Sequence, residues 1–169
     1  MNLKKLFVAA GIAAACLSVS AQTTGDINVS ASVIATCSIS TNPLAFGAYN
    51  SLSGTALRVD TSLAITCSQG SNASIALGAG NNLLVAQRRM TDGTAFLNYS
   101  IFQPASAAAG AACAYTTSWG NGTVAGNALV TAAAPNLSAR TYNVCGEIPP
   151  GQSAPVATYN DVVVATVTF

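Results

Sequence analysis

The sequence contains no histidine, and charged residues make up only 7% of its 169 residues. Without an imidazole, Ser-His-Asp and Cys-His catalysis cannot be built, and the commonest metal ligand is missing. The five acidic residues are scattered among predicted turns and the polar faces of predicted strands, which is typical of solvated side chains rather than a glycosidase pair. Phosphate-binding and calcium-binding loop motifs are also absent. We therefore expect no enzyme, no cofactor and no metal site.

Positive charge is equally scarce. Outside the N-terminal leader described next, the basic residues are four arginines against five acids, a formal charge of −1. Such a chain offers no basic stripe to a phosphate backbone, so we expect no nucleic-acid partner. A surface rich in Ala, Ser, Thr and Asn and poor in charge suits packing against other copies of the chain.

A long apolar run occurs only at the N-terminus. Lys4 and Lys5 precede the apolar residues 6–17, and the small residues of "VSA" end at residue 21. This pattern predicts a secretory signal peptide over residues 1–21, and removal of 21 residues from 169 leaves 148. Lipidation at Cys16 is the alternative, but Ala13 stands where a lipoprotein signal usually has Leu. The predicted product is one exported domain.

Four cysteines remain after the leader, namely Cys37, Cys67, Cys113 and Cys145. An even number in an oxidising compartment indicates disulfides, and three pairings are possible. The favoured pairing is Cys37–Cys67 and Cys113–Cys145, because each bridge closes a loop of about 30 residues, worth roughly 3–4 kcal/mol in the chain-entropy description. A zinc site is the alternative, but the C-x-x-C spacing is absent.

The rest of the chain is a succession of short alternating segments separated by Gly, Asn, Pro and Ser clusters. Asp92-Gly93, between "QRRM" and "FLNYSIFQ", predicts a hairpin. The Ala-rich residues 104–114 are predicted to form a loop, because their side chains are too small to anchor a helix. The pattern predicts an all-β sandwich.

The segment "GDINVSASVIATC" opens the exported part with strict alternation of polar and apolar residues. In a strand, its apolar residues would all point into one groove; they are Ile27, Val29, Ala31 and Val33. Two interpretations stay open. Residues 25–35 are either a strand donated to a neighbouring molecule or the first strand of the chain's own sandwich.

Two features of the sequence are candidates for sugar binding. Trp119, in "TTSWGNG", could stack on a sugar ring, although a lone Trp beside a turn is more often an anchor in the core. Arg88 and Arg89 could bind an anionic sugar, although such a pair at the end of a strand is usually solvated.

The order of several short motifs resembles the spore coat protein U domain family, whose members include subunits of archaic (Csu-type) chaperone–usher pili. The motifs are "ATCSIS", "LAFGAY", "LAITCSQG", "RRM", "LNYSIF", "WG", "IPPGQ" and the terminal "YNDVVVATVTF". Two positions depart from the family pattern: Ala157 replaces a Gly, and Cys145 stands where a Tyr-Gly dipeptide is usual.

The resemblance implies a six-stranded, incomplete immunoglobulin-like β-sandwich that is completed by donor-strand exchange. Residues 22–36 would be the donor extension and residues 37–169 the pilin domain. A periplasmic chaperone would first fill the groove, anchored at the terminal carboxylate and paired along the final strand through Val163, Ala165, Val167 and Phe169. An outer-membrane usher would then exchange it for the extension of the next subunit.

The implied function is that of a structural subunit of a cell-surface pilus, secreted through the periplasm, that supports adhesion and biofilm growth. Two alternatives stay open. One is a self-contained secreted coat protein, and the other is a carbohydrate-binding adhesin that uses Trp119.

Overall fold

Strands alone make up the regular secondary structure of residues 20–123 and 125–169, the part of the chain that this computed structural model describes. The all-β class predicted from the alternating segments is therefore confirmed. In these ranges there is no helix of the length and apolar character needed to cross a bilayer. Residues 1–19 of the predicted signal peptide, including Cys16, lie outside the described part.

The larger sheet contains six antiparallel strands. Its main path runs in the order β1-β2-β8-β5-β4, and β6 pairs with the far end of β5. The strands are β1 (Cys37–Thr41), β2 (Leu57–Cys67), β4 (Arg88–Thr91), β5 (Phe96–Pro104), β6 (Cys113–Ser118) and β8 (Arg140–Ile148). Strand β1 lies at one edge and pairs only with β2, from Cys37 opposite Cys67 to Thr41 opposite Leu63.

The smaller sheet contains three strands in the order β7-β3-β9, and all its pairs are antiparallel. The strands are β3 (Ser74–Leu77), β7 (Leu129–Val130) and β9 (Ala165–Thr168). Strand β9 lies at one edge and pairs only with β3, from Leu77 opposite Ala165 to Ser74 opposite Thr168.

The core lies between the two sheets and is built by period-two alternation. In β5, Leu97, Tyr99 and Ile101 are buried while the residues between them are less so, because successive side chains of a strand point to opposite faces. The same alternation in the other long strands and in β3 buries Leu63, Ile65, Ile75, Leu77, Tyr142 and Val144.

The predicted hairpin at Asp92-Gly93 joins β4 to β5. Oδ1 of Asp92 accepts hydrogen bonds from the backbone N–H of Thr94 and of Ala95, at 2.8 and 2.7 Å. The hydrogen bond from Ala95, followed by the one from Thr94, lowers the pKa of the Asp92 carboxyl. Gly93 has a φ of +104°, a conformation that strongly favours glycine.

Two disulfides tie strands together in the pairing favoured from the sequence. Cys37–Cys67 joins β1 to β2, and Cys113–Cys145 joins β6 to β8. Their Cα atoms are 4.1 and 5.7 Å apart. The first bridge therefore fixes the edge strand β1 at its first residue.

The strand count differs from the six implied by the family resemblance, since the described residues form nine strands. The difference comes from short strands at the edges of the sheets, such as β4, which has four residues, and β7, which has two. The Ala-rich segment forms no helix, as expected, and its first and last residues belong to β5 and β6.

The chain divides into two units, Met1–Ser32 and Val33–Phe169. The described residues of the first unit, 20–32, form no strand and are exposed. The second unit contains both sheets.

Candidate functional site

Among the edge strands of the described residues, β1 and β9 are the two that bound a common groove, and each pairs with another strand on one side alone. Strand β1 hydrogen-bonds to β2 alone, and β9 to β3 alone. Each strand therefore presents a row of free backbone N–H and C=O groups along its outer edge. Such an edge is a template for pairing with another strand.

A groove of about 580 Å³ opens between these edges. On one side it is bounded by β1 and the segment after it, through Ile39, Thr41 and residues 42–46. On the other side it is bounded by residues 159–163 and Ala165. The floor of the groove is mostly apolar core and is formed by Leu63, Leu77, Met90, Tyr99, Ile101 and Val144. The groove thus reaches down to the core of the sandwich, and all of its floor side chains except Met90 are buried.

The pairing registers fix the relative direction of the two edge strands. Cys37 lies opposite Cys67, and only six residues separate Cys67 from Ser74, which lies opposite Thr168. The start of β1 and the end of β9 therefore lie at the same end of the sandwich, and the two strands run antiparallel. We call this end the Cys37 end and the opposite end, around Tyr159, the Tyr159 end.

A polar cluster that the sequence did not reveal lies on the wall of the groove. Oδ2 of Asp161 accepts a hydrogen bond of 2.6 Å from the Tyr99 hydroxyl, and Oδ1 accepts one of 2.8 Å from the backbone N–H of Asn81. Gly80, with a φ of +80°, approaches so closely that a Cβ there would collide with this carboxylate. Burial of the phenol, reinforced by the Asp161 carboxylate, raises the pKa of Tyr99.

Beside this cluster lies Arg88, which is buried rather than solvated as its sequence context suggested. Its side chain is only 2% exposed, and its guanidinium donates hydrogen bonds to the carbonyls of Leu77 and Gly78. Desolvation by burial lowers the pKa of Arg88. Arg89 is half-buried, and its guanidinium lies 3.9 Å from the centre of the Phe96 ring. Because both guanidiniums are engaged, the anionic-sugar alternative has no support here.

Of the predicted inward row at the C-terminus, Val163 and Ala165 line the groove, whereas Val167 and Phe169 are not among its lining residues. Val163, Ala165 and Val167 are half-buried and pack against the core, whereas Val162 and Val164 on the other face are exposed. Phe169 differs from the rest of its predicted row, because its side chain is 53% exposed.

The alternating N-terminal segment has no regular secondary structure and is exposed. Its apolar side chains are almost fully accessible, with Ile27 88%, Val29 91% and Val33 92% exposed. Residues 25–35 form no strand in the structure.

The connection between this segment and β1 is fastened to the second unit. The backbone N–H of Ser68 donates to the Thr36 carbonyl at 2.8 Å, and the Ser68 hydroxyl donates to the Ile34 carbonyl at 3.3 Å. The Thr36 N–H in turn donates to the Ser68 hydroxyl at 3.1 Å. Residues 34–36 are thus held at the Cys37 end, and the free segment ends at Val33.

Trp119 is buried completely, and its indole N–H donates a hydrogen bond of 2.9 Å to the Ile75 carbonyl. A ring without exposed surface cannot stack on a sugar, so the sugar-binding alternative based on Trp119 is wrong. The residue anchors the smaller sheet to the core.

One group of potential metal ligands exists in the described residues, formed by Asp60, Cys113 and Cys145. Both sulfurs belong to a disulfide, and neither is available as a thiolate. The Asp60 carboxylate instead accepts a hydrogen bond from the Tyr115 hydroxyl.

Solved structures share this fold. A chain in the crystal structure of the CsuC-CsuE chaperone-tip adhesion subunit pre-assembly complex, from the archaic chaperone-usher Csu pili of Acinetobacter baumannii, superposes with a TM-score of 0.58. The match has 23% sequence identity and covers 81% of the present chain. The present chain spans only 40% of the length of that solved chain.

Sequence comparison gives a family. The chain is 34% identical to "Protein U" of Myxococcus xanthus over 191 aligned residues, an alignment that covers the whole of both proteins. The family model described as the Spore Coat Protein U domain matches residues 23–166, which include both the exposed segment and the groove. The protein therefore belongs to the spore coat protein U domain family.

Proposed function

We propose that this protein is a structural subunit of an archaic chaperone–usher pilus and polymerises by donor-strand complementation. Residues 22–36 form the donor extension and residues 37–169 the pilin domain. The proposal depends on one observation: the chain has both an apolar groove between two unpaired strand edges and an exposed segment of alternating polar and apolar residues. The fold likeness to a chain of the Csu pre-assembly complex supports it.

The energetics favour insertion into another copy. Ile27, Val29 and Val33 each gain roughly 1.5–3 kcal/mol on burial and Ala31 gains less, so the row provides on the order of 5–10 kcal/mol before the entropy of ordering. Backbone hydrogen bonds to the free edges of β1 and β9 add to this and fix the register. The polar face of the donor, with Asp26 and Asn28, stays in water.

The direction of insertion determines the assembly. Both existing pairs of the smaller sheet are antiparallel, so a new strand that extends this sheet antiparallel to β9 continues its pattern. The body of the donating copy then lies beyond the Tyr159 end of the receiving copy, while the extension of the receiving copy leaves from its Cys37 end. Because exit and insertion occur at opposite ends, the contact repeats head to tail and builds a fibre.

Before assembly, the groove requires a temporary partner, because an apolar groove bounded by unpaired strand edges promotes aggregation. A periplasmic chaperone fills this role by pairing with β9 and anchoring the terminal carboxylate of Phe169. An outer-membrane usher then exchanges the chaperone strand for a donor segment. The product is a pilus at the cell surface that supports attachment and biofilm growth.

Electron microscopy of cells that produce the chain together with the pilus chaperone and usher of the same host tests the proposal. We expect surface fibres that are lost when this gene is deleted and restored when it is supplied again. Fibres that remain unchanged after deletion, or a chain recovered only as a free monomer, would contradict it.

A further inference from the structure

The groove and the donor segment have matching lengths. On the β9 side, the groove is lined between residues 159 and 165, a stretch of seven residues. The apolar row of the donor runs from Ile27 to Val33 and also spans seven residues. In both stretches, the first and last residues belong to the alternate set whose side chains point inward.

We infer that, in the proposed assembly, the donor lies antiparallel to residues 159–165 with Ile27 opposite Ala165 and Val33 opposite Tyr159. In this register Val29 lies opposite Val163, and Ala31 lies opposite Asp161. The inference rests on the proposed function, since it specifies where one copy binds another.

The Asp161 carboxylate selects this register. It is the acidic side chain of the groove lining and already accepts hydrogen bonds from Tyr99 and the Asn81 backbone. A shift of the donor by two residues in either direction replaces Ala31 with Val33 or Val29 opposite Asp161. Either valine would press a larger apolar side chain against a hydrogen-bonded carboxylate, which is unfavourable.

Side-chain size agrees at the two ends. Ile27, the largest residue of the donor row, lies opposite Ala165, the smallest inward residue of this wall. At the other end, Val33 lies opposite Tyr159, and such β-branched and aromatic pairs stabilise neighbouring strands.

The fastened connection gives an independent reason. Residues 34–36 are hydrogen-bonded to Ser68 of their own copy, so the body of the donating copy begins directly after Val33. A register that placed Ile34 deep in the groove would make the folded part of the donating copy collide with the groove walls of the receiving copy. With Val33 opposite Tyr159, the connection remains just outside the Tyr159 end.

Cysteine trapping on the outer face tests the register without altering the groove. The inferred register places Asn28 directly opposite Val164, whose side chain is 66% exposed. Directly opposite residues of paired strands have Cα atoms about 4.5–5.5 Å apart, within reach of a disulfide, whereas diagonal neighbours are about 7–8 Å apart. The full-length chain with Val164→Cys would be combined in turn with Asp26→Cys, Asn28→Cys, Ser30→Cys and Ser32→Cys.

Fibres from producing cells would then be resolved on non-reducing denaturing gels. We expect the Asn28→Cys variant to give about tenfold more disulfide-linked multimers than either neighbouring position, given the distances above. Strongest linkage at Asp26 or Ser30 would overturn the register. Strongest linkage at Ser32 would indicate a strand parallel to β9 or slipped by four residues and would also overturn it. If cells producing the wild-type chain form no fibres, the proposed function fails instead.

Discussion

The Tyr99 hydroxyl and the Asp161 carboxylate are joined by a hydrogen bond of 2.6 Å across the wall of the groove. Tyr99 lies in β5, near the middle of the larger sheet, and Asp161 lies in the segment that leads into β9. This bond therefore couples the two sheets at the place where the groove is open. The position of β9, one of the two free edges, depends on it.

This coupling makes stability sensitive to alkaline pH. Because the pKa of Tyr99 is raised in the folded state above the ordinary tyrosine value of about 10, its contribution to stability is complete below pH 10 and is lost as the pH rises above that value. We expect the free energy of unfolding of the mature chain to fall between pH 10 and 12. Tyr99→Phe should reduce that slope by up to about 1.4 kcal/mol per pH unit.

Urea unfolding at several pH values measures this effect. Tyr115→Phe is a second test of the same effect, because burial and the hydrogen bond to Asp60 raise the pKa of the more exposed Tyr115 to about 12, and so this variant should also reduce the slope between pH 10 and 12. At pH 8, Tyr99→Phe should cost about 1–3 kcal/mol, since one oxygen of Asp161 loses its donor. Equal slopes for the wild type and Tyr99→Phe would show that the bond is not coupled to folding.

The apolar face of the donor should be necessary for assembly but not for folding. The double substitution Ile27→Asp and Val29→Asp places two charges on exposed side chains, so the chaperone complex should form normally. Fibre growth should stop, because two carboxylates cannot enter an apolar groove without a large desolvation cost.

The matched control is Asn28→Asp with Ser30→Asp, which adds the same two charges to the polar face. Fibre mass per cell and the yield of chaperone complex are the two readouts. If the apolar-face variant assembles as well as this control, the donor assignment is wrong.

The inward face of the final strand should be needed for capture by the chaperone. Val163 packs against the core, whereas Val164 points outward and is exposed. Val163→Asp should therefore reduce the yield of co-purified chaperone complex at least tenfold, and Val164→Asp should leave it nearly unchanged, since only the first charge is desolvated. Deletion of residues 167–169 should also abolish capture, and a stable complex of that truncation would argue against a groove bounded by β9.

The disulfide Cys37–Cys67 should hold the other edge of the groove. It attaches the first residue of β1 to β2 and closes a loop with a sequence separation of 30. Replacement of both cysteines by serine should lower the free energy of unfolding by about 3–4 kcal/mol, as loop-closure entropy predicts. Urea unfolding of the oxidised wild type and the double variant gives the difference, and a loss below about 1 kcal/mol would mean that β1 is held by its ladder alone.

Much of the fold can be predicted from local patterns in the sequence. Alternation identified the strand that contains Leu97, Tyr99 and Ile101, and Asp92-Gly93 identified the hairpin, because both signals depend on residues close in sequence. Cysteine spacing favoured the bridges that the structure contains.

The groove wall could not be predicted in the same way. Asp161, Tyr99 and Gly80 are far apart in the sequence and meet only through sheet topology, so Asp161 resembled an ordinary solvated acid. Arg88 resembled a surface residue for the same reason. The carbonyls that accept hydrogen bonds from its guanidinium belong to Leu77, the last residue of β3, and to Gly78, and both are distant from Arg88 along the chain.

The most direct measurement of the central claim adds the missing strand to the chain itself. Residues 23–35 would be fused after Phe169 through an Asn-Gly turn, in a chain that begins at residue 36. A two-residue turn pairs residue 23 with Phe169 and so keeps Ile27 opposite Ala165, as in the inferred register. This variant would be compared with the unfused chain and with a fusion that carries Ile27→Asp and Val29→Asp. We predict that only the first fusion is a stable monomer, with a free energy of unfolding several kcal/mol above the other two, because it alone buries the apolar row. Equal stability of all three chains would contradict the account, since it would mean that the sandwich is already complete.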